Sequence, residues 1–258
     1  MSEENYTVTI TINPNDFLIP LQQTLVECSN AVYFGLSTID TLIELPESIH
    51  AEDEFSYHSP YGGELTLDVR KEIYRNWLIR KGFEDLIKAI TNLLIEIIRF
   101  YDIHSELKNT KSWEAYQQLM IKPFHKLTKK HYPELMKIVK LHLNDNLLLE
   151  EEIDSINKVR NCLAHRNGFV TPEDFNSEDN YLMLKWEYLG LKYIENGIEK
   201  DFHKYILLTS EGETKVIKEK KTKKFELNER VQISYQLFNE LIFTCDTFGR
   251  DLISKLIV

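Results

Sequence analysis

The chain has 258 residues, 43% hydrophobic and 28% charged, with 31 Lys+Arg against 41 Asp+Glu and a formal net charge of −10. That length and hydrophobic fraction suit one large globular domain and exclude a wholly disordered chain. The 9 Gly and 7 Pro exclude a fibrous chain, and the acidic balance excludes a protein that coats phosphate over its whole surface.

Tyr6 to Ile12 alternate Thr with aliphatics, which predicts a strand with one apolar face. Asn13-Pro14-Asn15-Asp16 stops it and caps a helix over about 16–44, where Leu21, Leu25, Cys28, Val32, Leu36 and Ile39 recur at three- and four-residue steps. Pro46, Pro60, Gly62 and Gly63, with an acidic Glu52-Asp53-Glu54, mark a loop over 46–65. The strongest helical pattern follows: Phe83, Leu86, Ile87, Ile90, Leu93, Leu94, Ile97, Ile98 and Tyr101 predict a long core helix over about 67–105. Gly82 costs it about 1 kcal/mol relative to Ala, which points to close packing there.

A short helix over about 111–121 is bounded by Pro123, and Pro133 opens another at Glu134. It runs through Leu141, or breaks near Asn144 and restarts near Leu147. Leu147 to His165 is helical by pattern, with Gly168 as its stop. From Asn180 the period changes to two. Asn196-Gly197 and Ser210-Glu211-Gly212-Glu213 read as turns, so a three-stranded antiparallel meander is expected over 181–194, 199–209 and 213–219. Asn228 then caps a final helix carrying Val231, Tyr235, Phe238, Leu241, Cys245, Phe248 and Leu252.

The expected fold is mainly α. It is a single domain over 1–258, an antiparallel bundle of about five helices with an N-terminal strand and an inserted β-meander. The bundle core is drawn from 66–168 and 228–258, and the insert from 180–220. Cys28, Cys162 and Cys245 form neither a disulfide framework nor a CxxC pair, which suits a reducing cytoplasm. The acidic N-terminus has no apolar stretch behind it, so no signal peptide is expected, and no segment is apolar enough for a membrane.

Phosphate-loop, dinucleotide, zinc-protease and nucleophile-elbow signatures are absent. Cys162 and His165 lie three apart on one helix, but two ligands do not make a metal site. The segment that stands out is Val159 to Gly168. At about 100° per residue, Ile153, Ile156, Val159 and Leu163 form the buried stripe and Arg160 falls at its edge. Asn161 and His165 sit one turn apart beside it. The plain reading is a half-buried arginine in an ion pair and a histidine capping a helix end.

Arg160-Asn161, three further residues and then His165 resembles the signature of the HEPN superfamily, in which an arginine, usually followed by a polar residue, precedes a histidine by a short gap. The resemblance is close over the motif and looser in helix order over about 67–256. It implies a helical bundle that dimerises, and a metal-independent endoribonuclease needing no cofactor. Arg160, Asn161 and His165 would be its catalytic residues, cutting RNA by 2′-hydroxyl attack. It also implies a role in bacterial defence or as a toxin, with an antitoxin or activating protein as a further partner. Some members of the superfamily do not cut RNA, so a non-catalytic interaction module is the alternative.

His165 suits proton transfer near neutral pH, and Arg160 offers a bidentate fork to phosphate. On a straight helix the two side chains point about 140° apart, so two motifs across a two-fold axis, in a homodimer, would converge where one does not. Lys215, Lys218, Lys220, Lys221, Lys223 and Lys224 crowd into ten residues with only Glu219 against them. They read either as a solvated hairpin end or as an RNA-binding arm.

Overall fold

The computed structural model describes residues 13–44, 66–107, 114, 117–118, 126–143, 145–175, 180–195, 197–201 and 213–256. The expected strand over 6–12 and the loop over 46–65 lie outside the described residues, as does most of the helix expected over 111–121. The described chain is mainly α, with an antiparallel sheet inserted between its last two helices.

Asn13 caps a 3-10 turn at Pro14–Phe17, its side chain accepting from the Asn15 N–H at 3.1 Å, and the turn feeds α1 at Leu18–Thr41. The long helix α2 runs Leu67–Leu107. Then come α3 at Tyr132–Val139, with Pro133 in its first turn, and α4 at Glu150–His165. Leu149 precedes α4 in the left-handed region (φ 61), which is why that helix starts three residues later than the hydrophobic pattern suggested.

The last helix, α5, spans Tyr235–Ser254. Its cap is Ser234, whose side chain accepts from the Leu237 N–H, and not Asn228 as expected. Asn228 instead sits at φ 64 in a turn, and its N–H donates to the Val170 carbonyl at 2.9 Å. Asn suits both positions, because its short amide caps helices and also tolerates positive φ.

The stripes expected from periodicity form one core. Leu21, Leu25 and Val32 of α1 meet Phe83, Leu86, Ile90, Leu94 and Ile97 of α2, which are almost wholly buried. Ile153, Ile156, Val159 and Leu163 of α4 and Phe238, Leu241 and Phe248 of α5 complete it. No helix among the described residues is long and apolar enough to cross a membrane.

Gly82 confirms the expected close approach. A Cβ there would lie 2.7 Å from Phe238 Cζ and 3.0 Å from Val32 Cγ2. Gly82→Ala gains about 1 kcal/mol of helix propensity but overpacks a fully buried ring, at a cost of about 1–3 kcal/mol. A lower denaturation midpoint is expected; a higher one would show that Phe238 yields freely.

The sheet comprises β1 (Tyr181–Glu195), β2 (Ile198–Asp201) and β3 (Glu213–Glu226), in the order β2-β1-β3. β3 pairs with β1 from Tyr181↔Glu226 to Ile194↔Glu213, while the described residues of β2 pair with 192–195. The sheet is antiparallel and inserted as expected, but its central strand is β1, where a meander would place β2. The reason lies on the edge of β1 that faces the helices. The Lys185 N–H donates to Ser155 Oγ of α4 at 2.8 Å, and the Glu187 N–H donates to Thr244 Oγ1 of α5 at 3.1 Å. Two buried helix hydroxyls thus satisfy an edge that a full strand would otherwise have to cover. Leu182, Leu184, Trp186 and Phe225 enter the helical core, so the sheet is a wall of that core.

Candidate active site

The motif occupies the last two turns of α4, where several hydrogen bonds fix the helix end. The N–H groups of Arg166 and Gly168 both donate to the Cys162 carbonyl, at 3.0 and 3.1 Å. Asn167 (φ 51) and Gly168 (φ 79) reverse the chain in left-handed conformation, as a helix stop requires. The reversed segment then joins the stretch before α5. The Val231 N–H donates to the Gly168 carbonyl at 2.8 Å, and the Val170 N–H to the Glu229 carbonyl at 3.0 Å.

Arg160 is half-buried at the edge of the apolar stripe, where the helical wheel put it. Its Nη2 donates to Asn157 Oδ1 at 2.9 Å. Burial lowers the guanidinium pKa from its ordinary value, and the Glu84 carboxylate of α2 pushes it back up. Such a group remains protonated at any physiological pH. Asn161 is half-buried and His165 is exposed; neither side chain forms a hydrogen bond with a described residue. No hydrogen bond links any two of the three motif side chains. A single copy therefore leaves a fixed cation and an uncommitted imidazole on different sides of one helix.

Cys162 lies about 60° round the helix from His165 but is turned into the core. It is fully buried, its Sγ donates to the Phe169 carbonyl at 3.5 Å, and burial pushes its thiol up to about 12. It is a core residue and does not converge with His165 on a ligand.

Arg166, which the motif did not single out, has a structural part. Its Nε donates to Asp174 Oδ2 at 2.8 Å and its Nη2 to Asp174 Oδ1, a bidentate pair, while Nη1 reaches Glu173 Oε2 at 3.3 Å. Asp174 is buried and also accepts from the Thr171 N–H at 2.9 Å. The pair ties the residue next to His165 to the loop beyond the motif.

The lysine run forms most of β3, which extends to Glu226 instead of stopping at 219. Strand pairing orders the run, and several of its lysines have local partners. Lys220 meets Glu152 at 2.8 Å, Lys218 meets Glu187 at 3.8 Å and Lys221 meets Glu240 at 3.9 Å. Lys221 also lies over the Tyr188 ring and Lys224 over Tyr181. Lys223 donates to the Gln232 carbonyl at 2.9 Å. Lys215 stands opposite Lys192 in the ladder. The run is thus a paired strand that still presents exposed lysine side chains. Lys220, in the middle of the run, lies at the first turn of α4, away from the motif. Lys223 lines a groove with Arg75 and Asn76 on the motif's side of the molecule.

That groove adjoins, through Asn76, a cleft of about 350 Å3. One wall is a face of α2, with Ile73, Asn76, Trp77 and Arg80; the other is the turn after the motif and the segment before α5, with Leu163, Asn167, Phe169 and Arg230. The i, i+3, i+4, i+7 spacing of the α2 wall is visible in the sequence, and Asn76 and Arg80 lead by four- and three-residue steps into the core row of Phe83, Ile87 and Ile90, but at this end of the helix the row is polar and half-buried. The two walls come from distant parts of the chain, and no local pattern joins them. No family model, no curated protein and no solved structure matches this chain.

Proposed function

We propose that this protein is a metal-independent endoribonuclease of HEPN type, acting as a homodimer. The observation that carries the reading is the state of the motif: a half-buried, permanently charged Arg160 anchored by Asn157, and an exposed His165 whose ring nitrogens are unengaged. The first suits a phosphate clamp and the second a proton carrier.

In the proposed reaction the 2′-hydroxyl gives its proton to a base and its oxygen attacks the adjacent phosphorus. The bond to the 5′-oxygen breaks, and that oxygen takes a proton. The products are a 2′,3′-cyclic phosphate and a 5′-hydroxyl end. His165 moves the proton, and Arg160 stabilises the charge that builds on the non-bridging oxygens. Asn161, one turn from His165, orients the imidazole or donates to phosphate. Because Arg160 and His165 diverge by about 140° on α4, Arg160 of one copy serves with His165 of the other.

Purified protein is expected to cut single-stranded RNA in EDTA, leaving cyclic phosphate ends, and to spare a strand with 2′-deoxyribose at the cleavage position. Loss of cutting on chelation would overturn the metal-independent step. An active monomer in light scattering would overturn the composite site. The second reading, a non-catalytic interaction module, draws on the exposed Ile73, Tyr74, Trp77 and Phe169 around the cleft. It is favoured if no RNA is cut at all.

A further inference from the structure

We infer that the cleft beside the motif is a recognition subsite for one unpaired nucleotide of the RNA strand, and that it sets where the strand is cut. This deepens the ribonuclease reading and rests on it. Each wall of the cleft carries an aromatic ring, a side-chain amide and a guanidinium: Trp77, Asn76 and Arg80 on α2, and Phe169, Asn167 and Arg230 opposite. These are the three chemistries a nucleotide needs. A ring stacks on the base, amides read its edge, and arginine holds phosphate.

Each group keeps some binding capacity, although Trp77 already stacks on Tyr74 at 5.9 Å with one face. Trp77 and Phe169 are both 47% exposed, unusual for large rings at a concave site with an apolar floor of Ile73 and Leu163. Asn167 makes no hydrogen bond with a described residue. Asn76 commits its amide nitrogen to the Glu72 carbonyl at 2.7 Å and to Glu72 Oε1 at 2.8 Å, leaving its oxygen as an acceptor. Arg80 lies 4.0 Å from Glu84 and Arg230 lies 3.6 Å from Glu72, both beyond hydrogen-bonding range. The buried Arg230 Nε has no hydrogen-bond partner. Each guanidinium thus has one carboxylate at ion-pair distance and further N–H groups that can serve a phosphate. Arg230 also lies over the Phe169 ring at 5.2 Å, which brings cation and stacking face together.

The volume, about 350 Å3, falls at the small end of ligand sites and suits one nucleotide unit. A paired base has its edge and both faces occupied, so duplex RNA is excluded. The cleft lies on the Leu163 side of α4, about 60° round the helix from Arg160 and about 160° from His165. A nucleotide seated there places its neighbouring phosphate toward Arg160 of the same copy, leaving the imidazole to the partner copy.

The test uses the full chain and single-stranded 2′-fluoro oligonucleotides of A, C, G or U, which cannot undergo 2′-hydroxyl attack. Fluorescence anisotropy is expected to show a preference among the four bases. Trp77→Ala and Phe169→Ala should each weaken the preferred strand about tenfold. Asn167→Gly keeps the left-handed turn while removing the amide, and should flatten the preference. Variants that melt like the wild type yet bind all four strands as the wild type does would overturn the subsite. So would a nucleoside monophosphate that binds as tightly as the oligonucleotide, since the cleft would then serve a free nucleotide. If Trp77→Ala cuts RNA with unaltered base preference, the subsite fails and the ribonuclease reading stands. If the strands bind with the expected preference but unmodified RNA is never cut, the ribonuclease reading fails and the binding site stands.

Discussion

Replacing His165 with Ala is expected to slow RNA cleavage by about a hundredfold to ten-thousandfold, the contribution of a positioned acid or base. The protein should keep its melting temperature, because the side chain is exposed and holds nothing else in place. Arg160→Ala should also lose cleavage, but with some loss of stability, since Arg160 is half-buried and its bond to Asn157 Oδ1 is broken. Mixing the two inactive variants then tests the composite site. In a heterodimer, one site combines an intact Arg160 with an intact His165, so random exchange restores about a quarter of the sites. If both residues act within one copy, mixing restores nothing. Cleavage that survives both single substitutions would remove the assignment altogether.

Asp174→Ala is expected to cost about 3 kcal/mol of stability, the lower end for breaking a buried ion pair, because Arg166 keeps some contact with water. The substitution strands the Arg166 guanidinium and leaves the Thr171 N–H without its acceptor. Denaturant titration should show a lower midpoint with the same slope. Replacing both partners with leucine should recover much of the loss, since the desolvation cost of the two charges disappears with them. A single Asp174→Ala variant as stable as the wild type would show that the pair holds nothing together. Because Arg166 follows His165 directly, cleavage by Asp174→Ala should fall further than the unfolded fraction alone explains.

The helices were legible because burial imposes a period on them. Leu21 to Ile39, Phe83 to Ile97 and Phe238 to Leu252 repeat at helical spacing, and these stretches furnish the core. Boundaries were less legible where one residue type suits two conformations. Asn228 has a cap's composition but occupies a left-handed turn, and Leu149, which no rule places at positive φ, delays α4. The strand order was hidden because Ser155 and Thr244 look like ordinary polar residues within helices. Only the fold shows that their hydroxyls close the edge of β1. The lysines of β3 looked like an unpaired run because their partners Glu152, Glu187 and Glu240 are distant in sequence.

At the motif, the wheel placed Arg160 at the core edge and set Asn161 and His165 apart from it, as the fold does. It did not reveal Asp174 as the partner of Arg166, or the cleft. Those depend on contacts between segments that no periodicity connects: the loop at 171–174 for one, and α2 with the stretch before α5 for the other.

The backbone pairing at the end of α4 has a consequence in time. The reversal at Asn167 and Gly168 takes its cross-chain hydrogen bonds from residues 228–231, which follow the whole inserted sheet. On a ribosome, α4 is finished long before those partners leave the exit tunnel, at a synthesis rate of about 5–20 residues per second. Until β3 has been made, Gly168 and Val170 have no strand to pair with, and one wall of the cleft lacks Arg230. The nascent chain therefore carries the motif in sequence before the turn that follows it is held in shape, and on the proposed ribonuclease reading cutting waits for that pairing.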